Sequence, residues 1–303
     1  GQRPSWLPWA IGVAVGILTA AVVFGGVRRI ASVTQTLVPL MALGYLLLGL
    51  AVVAVNITEV PAVLGEIFGN AWGPNEVVGA TLGYVVLTGI KRGMFSNEAG
   101  LGSAPNAGAS AAVTHPVKQG LVQTLGVYFD TFLICTITAF IILVSSPDLA
   151  GAQRGIGLTQ NALVDALGSW TNTALTIVVF LLAFSSILGN YYYGESNIEF
   201  ITRRREVLTG YRALVVVAVL VGSVASADIV WNFADTVMGL MALINLIAIA
   251  ALSPMAFRLL ANYRAQRAQG RDPVFTRDLM PDIRGISCWT DEGSVTGAVP
   301  LVR

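Results

Sequence analysis

A short polar stretch interrupts a sequence that is otherwise dominated by apolar residues. Residues 89–112 have the sequence GIKRGMFSNEAGLGSAPNAGASAA, which includes Lys91, Arg92, Asn97 and Glu98. Charged side chains are expensive inside an apolar membrane segment, and they usually mark a pathway or a buried ion pair. The glycines of the stretch favour turns, so the main chain itself is expected to offer amides and carbonyls for binding here.

The composition indicates an integral membrane protein. Hydrophobic residues make up 55% of the 303 residues and charged residues 12%, where a soluble domain carries about 25% charge. The net charge is +1 and the basic residues are scattered, so nucleic-acid binding is excluded. With two cysteines, Cys135 and Cys288, and a single histidine, His115, neither a disulfide framework nor a zinc site is expected. No cofactor is predicted.

Seven apolar segments are long enough to cross a bilayer, for which about 20 residues are needed. All of them suit helices, and none shows the alternation of a membrane strand. The sequence therefore predicts an all-α polytopic membrane domain over residues 1–260, followed by a polar and mobile tail over 261–303. The segments are 6–27, 31–55, 76–112 (interrupted), 119–145, 170–194, 207–228 and 230–260.

The basic residues of the connections predict the orientation of these segments. They follow segments one, three, five and seven, and the opposite connections are richer in Asp and Glu. Lys and Arg concentrate on the cytoplasmic side of a membrane protein. The N-terminus is thus predicted outside and the tail in the cytoplasm. The basic residues are Arg28, Arg29, Lys118, Arg203, Arg204, Arg205, Arg258, Arg264 and Arg267.

The third segment is too long for one straight membrane helix, and its middle contains poor helix formers. Gly93, Gly100 and Gly102 favour turns, and Pro105 suits the first turn of a new helix. The pattern predicts two half-helices joined by unwound backbone near residues 93–102. Unwound backbone cannot face lipid, so it must line a cavity or a ligand. The alternative is that its small residues only allow two helices to pack closely.

Asp130 lies near the middle of the fourth segment, about 16 Å along a helix entered at Gln119. It is predicted to pair with Lys91 or Arg92, because a buried charge is tolerated chiefly when it is matched. A role as an ion ligand is the alternative. Glu98, Glu195 and Asp235 pose the same choice.

The seven apolar segments, the broken helix and the polar groups within it predict a secondary transporter. Two other classes of protein are alternatives. A membrane-embedded enzyme could use Ser96, Glu98 and Asp130 as nucleophile, acid and base, but no nucleophile–base spacing stands out. A channel would need a filter-like run of carbonyl-presenting residues, which is not evident. An enzyme is not predicted.

Four stretches resemble the alanine or glycine:cation symporter family, also called sodium:alanine symporters. The similarity extends over nearly the whole chain, and the FSNEAG motif is the most specific part of it. The stretches are GIKRGMFSNEAGLGSAPNA, FGGVRRIASVTQTLVPLMALGYLLLGL (24–50), LLAFSSILGNYYYGESN (181–197) and GLMALINLIAIAALSP (239–254).

This resemblance implies a sodium-coupled symporter that carries a small neutral amino acid, alanine or glycine, into the cell through the cell membrane. It implies a leucine-transporter-type fold of two inverted repeats, in which the seven segments resemble core helices four to ten. The leading helix and core helices one to three would precede Gly1, so the chain is expected to be N-terminally truncated. Sodium is the implied coupling ion.

The resemblance also implies the site residues. The broken helix of relatives lines the amino-acid pocket, which carries over to Gly93, Met94, Phe95, Ser96 and Asn97. For Phe95, ordinary core packing is the alternative.

Paired hydroxyls that form a sodium site in this fold correspond to Ser185 and Ser186, and Asn190 one turn away is expected to support Ser186. The alternative for the two serines is hydrogen bonding to carbonyls of their own helix.

Overall fold

The computed structural model of the chain describes residues 4–71, 82–145, 155–282 and 289. Helices are the main elements of this part of the chain, joined by turns and short irregular segments. The elements are α1 (Leu7–Val23), α2 (Val27–Val55), α3 (Val60–Ala71), α4 (Leu82–Asn97), α5 (Ala104–Gly108), α6 (Pro116–Phe129), a π-helix (Asp130–Cys135), α7 (Thr136–Val144), α8 (Ile156–Leu167), α9 (Trp170–Ile201), α10 (Arg205–Val224), α11 (Ala227–Ala268) and a 3₁₀-helix (Arg277–Leu279).

Five helices among the described residues are long and apolar enough to cross a membrane. They are α2, the span Pro116–Val144 formed by α6, the π-helix and α7, and α9, α10 and α11. Helix α1 is also apolar but has 17 residues, and the third predicted segment is broken into α4 and α5. The prediction of an all-α polytopic membrane protein is confirmed. The part of the third segment before residue 82 lies outside the described residues.

The chain divides into two compact units, and the first contains Gly1–Gly93 and Asp130–Asp235. Helices α2, α7, α8 and α9 form its larger core, where the Tyr45 hydroxyl lies 2.6 Å from Thr138 Oγ1. Gly49 of α2 faces Ile137 of α7 so closely that an added Cβ would overlap that side chain. The core residues are Tyr45, Leu48, Val52, Ile137, Ile141, Ala162, Leu163, Leu175 and Val178.

A second core of the first unit joins α1, α2 and α9, with α10 packed beside it. Gly12 of α1 faces Ser223 of α10, and Gly16 one turn later faces Leu220. Small residues let two helices approach closely without a hydrophobic driving force between them, which is how membrane helices commonly associate. The core residues are Val22, Val23, Ile30, Phe184, Leu188 and Tyr191.

The second unit contains Met94–Phe129 and Thr236–Arg303, and His115 lies in one of its buried contacts. The His115 ring is fully buried, with Tyr263 and Phe275 packed edge-on against it. Its Nδ1 accepts a hydrogen bond from Val117 N at 3.2 Å, and its Nε2 lies 3.3 Å from Asn262 Oδ1. These two partners require the neutral ring with its proton on Nε2.

The polar tail predicted over residues 261–303 contains buried apolar residues in its first part, up to Met280. Helix α11 continues to Ala268, and the following segment returns to pack against the turn before α6. The Gln266 side chain bonds both backbone groups of Val274 at 2.9 Å, and Phe275 is 1% exposed. Apolar residues spaced among polar ones anchor this segment, which composition alone does not reveal. Residues 283–288 and 290–303 lie outside the described residues.

Candidate functional site

The interrupted helix contains three residues with positive φ between its two helical parts. Helix α4 ends at Asn97 and α5 begins at Ala104, and between them Glu98, Gly100 and Gly102 have φ values of 52°, 84° and 95°. Such positive φ values are strained for residues other than glycine. The predicted interruption is confirmed, but it covers residues 98–103. The prediction that Gly93–Asn97 are unwound is wrong, because these residues complete the last turns of α4.

Two hydrogen bonds within the interruption fold its main chain into a turn. Leu101 N donates to Glu98 O at 3.3 Å, which closes a single turn. The Ser103 hydroxyl donates to Glu98 Oε2 at 2.7 Å, so the carboxylate folds back over the turn that it begins. Leu101 and Ser103 are buried. The unwound segment is therefore a defined turn held by the side chains at its two ends.

The second half-helix is much shorter than the sequence predicts. Helix α5 has five residues, Ala104–Gly108, with Pro105 in its first turn. The expected half-helix extended to Ala112, but Ala111 and the two residues after it are not helical. A helix of five residues has a weak dipole, so the N-terminus of α5 offers little attraction to an anion.

The predicted substrate residues lie at the end of α4, directly before the unwound segment. Phe95 is 40% exposed, Ser96 is exposed, and Asn97 is half-buried. The Met94 side chain reaches toward Gly100, where an added Cβ would lie 3.7 Å from Met94 Cε. The exposed Phe95 is not a core residue within this chain. The role of these residues in binding an amino acid stays a prediction.

The charged pair before this segment is matched by Asp235. Arg92 Nη2 lies 3.4 Å from Asp235 Oδ2, and Lys91 Nζ lies 4.0 Å from the same oxygen. The Arg92 guanidinium also lies 5.4 Å above the Trp231 ring, within the range of a cation–π contact. The carboxylate opposite Lys91 and Arg92 is thus Asp235 of α11, where the sequence favoured Asp130.

Asp130 begins the π-helix that interrupts the long helix Pro116–Val144. Its Oδ2 accepts a hydrogen bond from Cys135 Sγ at 3.8 Å, and Thr136 Oγ1 donates to Thr131 O at 3.1 Å. π-helical turns inside α-helices are rare and frequently occur at functional sites. Asp130 was predicted from the sequence, but the π-helix was not. No residue pattern distinguishes backbone hydrogen bonds between residues five apart, as in a π-helix, from those between residues four apart, as in an α-helix.

The two serines predicted to bind sodium share one helix carbonyl as a hydrogen-bond partner. Both hydroxyls donate to Leu182 O at 2.9 Å, which is the helix bonding that the sequence left as an alternative. Ser185 also contacts Met41 Sδ of α2 at 3.6 Å. Asn190 Nδ2 donates to Ser186 O at 2.9 Å. Each hydroxyl oxygen keeps lone pairs that can coordinate a cation, so the sodium site stays a prediction.

Ser186 and Asn190 line a cavity of about 550 Å³ between α1, α9 and α10. The wall contributed by α1 and α10 is mostly apolar, as at Ile11 and Val215, and Ser223 adds a hydroxyl. Ser185 is not part of this wall. The structure therefore exposes one of the two predicted sodium ligands to a space large enough for solvent or a ligand.

A buried ion pair joins α9 to α10. Arg212 Nη2 lies 2.7 Å from Glu195 Oε1, and Arg212 Nε donates to the Tyr191 hydroxyl at 3.0 Å. Glu195 is 1% exposed, and among the described residues its Oε2 has no hydrogen-bond partner. Sequence analysis left the partner of Glu195 open. Arg212 lies within an apolar segment, and that position is the signal that could have identified the pair.

Asn245 of α11 contacts the unwound segment directly. Its Nδ2 donates to Gly100 O at 3.0 Å, and a Cβ on Gly102 would lie 3.0–3.1 Å from the Asn245 side chain. Sequence analysis missed this residue. The signal was present, since Asn245 is the only polar side chain between Thr236 and Ser253 in an apolar helix. A lone amide in a membrane helix usually bonds across to another segment.

Together, the long apolar helices and the interruption between α4 and α5 define a polytopic helical membrane protein. The sequence profile of the sodium:alanine symporter family matches residues 2–277. The chain belongs to that family. This confirms the family predicted from the FSNEAG and related motifs.

Curated relatives of the chain are carriers and symporters, which agrees with the prediction that it is not an enzyme. The amino-acid carrier protein AlsT of Bacillus subtilis is 50% identical over 93% of this chain and 60% of its own length. The probable sodium/glutamine symporter GlnT of the same bacterium is 44% identical over 92% and 58%. The sodium/alanine symporter AgcS of Methanococcus maripaludis is 40% identical over 81% and 54%. The chain thus spans between 54% and 60% of the length of these three relatives.

Proposed function

We propose that the protein to which this chain belongs is a sodium-coupled symporter that moves a small neutral amino acid, alanine or glycine, into the cell across the cell membrane. The observation that carries the proposal is the unwound backbone at residues 98–103, set between two helices of a membrane domain. Family membership supports sodium as the coupling ion. The helices of this chain correspond in this proposal to core helices four to ten of a leucine-transporter-type fold.

The chemistry of the unwound segment suits a zwitterionic amino acid. Backbone amides can hold a carboxylate and backbone carbonyls can hold an ammonium group. In the proposal Asn97 and the adjoining main chain bind the polar end of the substrate, and Phe95 covers its small side chain, with Gly93, Met94 and Ser96 completing this wall.

Uptake into proteoliposomes that contain the full-length protein tests the activity. We expect labelled alanine and glycine to accumulate only under an inward sodium gradient, and a proton gradient alone to give none. Uptake that is independent of sodium contradicts the proposal. Unlabelled glutamine is included as a competitor, because one relative is named a probable sodium/glutamine symporter. Competition stronger than that of alanine would assign glutamine as the substrate.

Two sets of variants test the proposed ligands. Asn97→Ala is expected to weaken amino-acid affinity by roughly tenfold through the loss of one or two hydrogen bonds. Ser185→Ala and Ser186→Ala are expected to raise the sodium concentration for half-maximal uptake. Ser196→Ala is the matched control, because Ser196 Oγ also bonds a carbonyl of α9, at 2.9 Å from Tyr193 O. Equal sodium dependence in all three serine variants would refute the sodium site.

The orientation belongs to the same proposal. With the basic connections in the cytoplasm, the N-terminus of this chain lies outside and the residues after α11 lie inside. An epitope placed after residue 303 is expected to resist protease added to intact cells and to be cleaved after permeabilisation. Cleavage in intact cells contradicts this orientation.

A further inference from the structure

We propose that Asn245 is a positioning residue that fixes the conformation of the unwound segment at residues 98–103. The inference rests on the proposed function in one respect, namely that this segment contacts the substrate. Asn245 itself is not assigned a substrate contact. Its role is to hold the main chain that the substrate meets.

The first argument is the hydrogen bond from Asn245 Nδ2 to Gly100 O, at 3.0 Å. A carbonyl released from the helical ladder inside a membrane needs a new partner, since leaving it unpaired there costs several kcal/mol. Asn245 supplies that partner from a helix separated by 145 residues in sequence. The bond uses one lone pair of Gly100 O and thereby fixes the direction of this carbonyl.

The second argument is the steric relation between Asn245 and Gly102. Gly102 has φ 95°, which disfavours any side chain, and an added Cβ would lie 3.0 Å from Asn245 Cγ. The side chain of Asn245 therefore lies directly on the main chain at this position. The absence of a side chain at Gly102 leaves the space that the Asn245 side chain occupies.

The third argument is the position of Asn245 in its own helix. Residues 237–252 of α11 are apolar except for Asn245. A side-chain amide in an apolar membrane helix is unfavourable unless its polar atoms form hydrogen bonds. Asparagine also has a lower helix propensity than leucine, so it does not stabilise the helix itself. The contact with residues 100 and 102 is what distinguishes this position from its neighbours.

Hydrogen exchange and substrate binding in the full-length protein test the inference. Asn245→Leu keeps the size of the side chain and removes the donor. We expect amides in residues 98–103 to exchange about 5–10-fold faster and alanine to bind about 5–10-fold more weakly, as the loss of one hydrogen bond predicts. Residues 113–118 serve as an internal control, because α11 holds them through Asn262 and not through Asn245. Ser253→Ala is the control variant, since Ser253 Oγ bonds Ala250 O of its own helix.

A double-variant cycle keeps the test decisive if Asn245→Leu folds poorly. Gly102→Ala is expected to weaken alanine binding strongly in the native background and several-fold less in the Asn245→Ala background, where the steric conflict is relieved. Equal effects in both backgrounds overturn the inference. So do unchanged exchange at residues 98–103, equal acceleration at residues 113–118, or faster exchange with unchanged alanine affinity. If the native protein binds no amino acid, the proposed function fails, and the exchange data alone decide whether Asn245 holds the backbone.

Discussion

The buried ion pair between Glu195 and Arg212 allows a quantitative prediction. Replacing Arg212 by Met leaves a carboxylate that is 1% exposed and whose second oxygen already lacks a partner among the described residues. Removing one partner of a buried pair costs about 3–5 kcal/mol. The Tyr191 hydroxyl also loses the Arg212 Nε donor at 3.0 Å, which adds about 1 kcal/mol. We therefore expect the free energy of unfolding to fall by roughly 4–6 kcal/mol.

The same reasoning predicts that removing both charges is far less harmful. In Glu195→Leu/Arg212→Met, no uncompensated charge remains and apolar side chains of similar size fill the space. Such replacements of buried pairs are often neutral or stabilising. We therefore expect a free energy of unfolding within about 2 kcal/mol of the native value, after allowing for the hydrogen bond that the Tyr191 hydroxyl loses. Arg205→Met is the matched control in the same helix, because Arg205 is exposed. Its effect should stay below about 0.5 kcal/mol.

Unfolding by sodium dodecyl sulfate in mixed micelles, followed by circular dichroism, measures these differences in the full-length protein. The reasoning is refuted if Arg212→Met loses less than about 1 kcal/mol, because a desolvated lone carboxylate cannot cost so little. It is equally refuted if the double variant is as unstable as the single variant. That result would mean that packing, and not the charge pair, stabilises the α9–α10 contact.

Two further predictions concern the buried contact of His115 in the second unit and the packing of Gly49 in the first unit. Burial lowers the pKa of His115 below its ordinary value. The hydrogen bond with Asn262 opposes this shift, and the charge of Lys118 adds to it. The contact made by the neutral ring should therefore be fully stable above about pH 6.5 and weaken as the pH falls below that value. The signal of this single histidine by NMR, together with hydrogen exchange at residues 113–118, should follow that sign, and His115→Phe should abolish the pH dependence. Gly49→Ala should reduce the free energy of unfolding by about 1–3 kcal/mol because the new methyl overlaps Ile137. Gly44→Ala in the same helix meets only an ordinary 3.6 Å contact and should be near neutral, and equal losses in both variants would contradict the packing argument.

The existence of the helix break could be predicted from the sequence, but its position could not. Glycine, serine and asparagine in the middle of a long apolar segment predict a break because each lowers helix propensity locally. Helix α4 nevertheless continues through Gly93 and Ser96 to Asn97, and the break falls at residues 98–103. Propensity is a weak local term, and the contacts of Asn245 with Gly100 and Gly102 favour a break at that point.

The amino-acid sequence by itself determined that this is a multi-pass helical membrane protein, that one segment is interrupted, and to which family the chain belongs. These properties depend on composition and on residues close together in the chain, since a helix satisfies its backbone within one segment. Only the tertiary structure decided that Asp235 lies against Arg92, that Arg212 lies against Glu195, and that residues after Asn262 pack around His115. Partners of buried charges are set by which helices pack together and at what height, and contacts between residues far apart in the chain fix both.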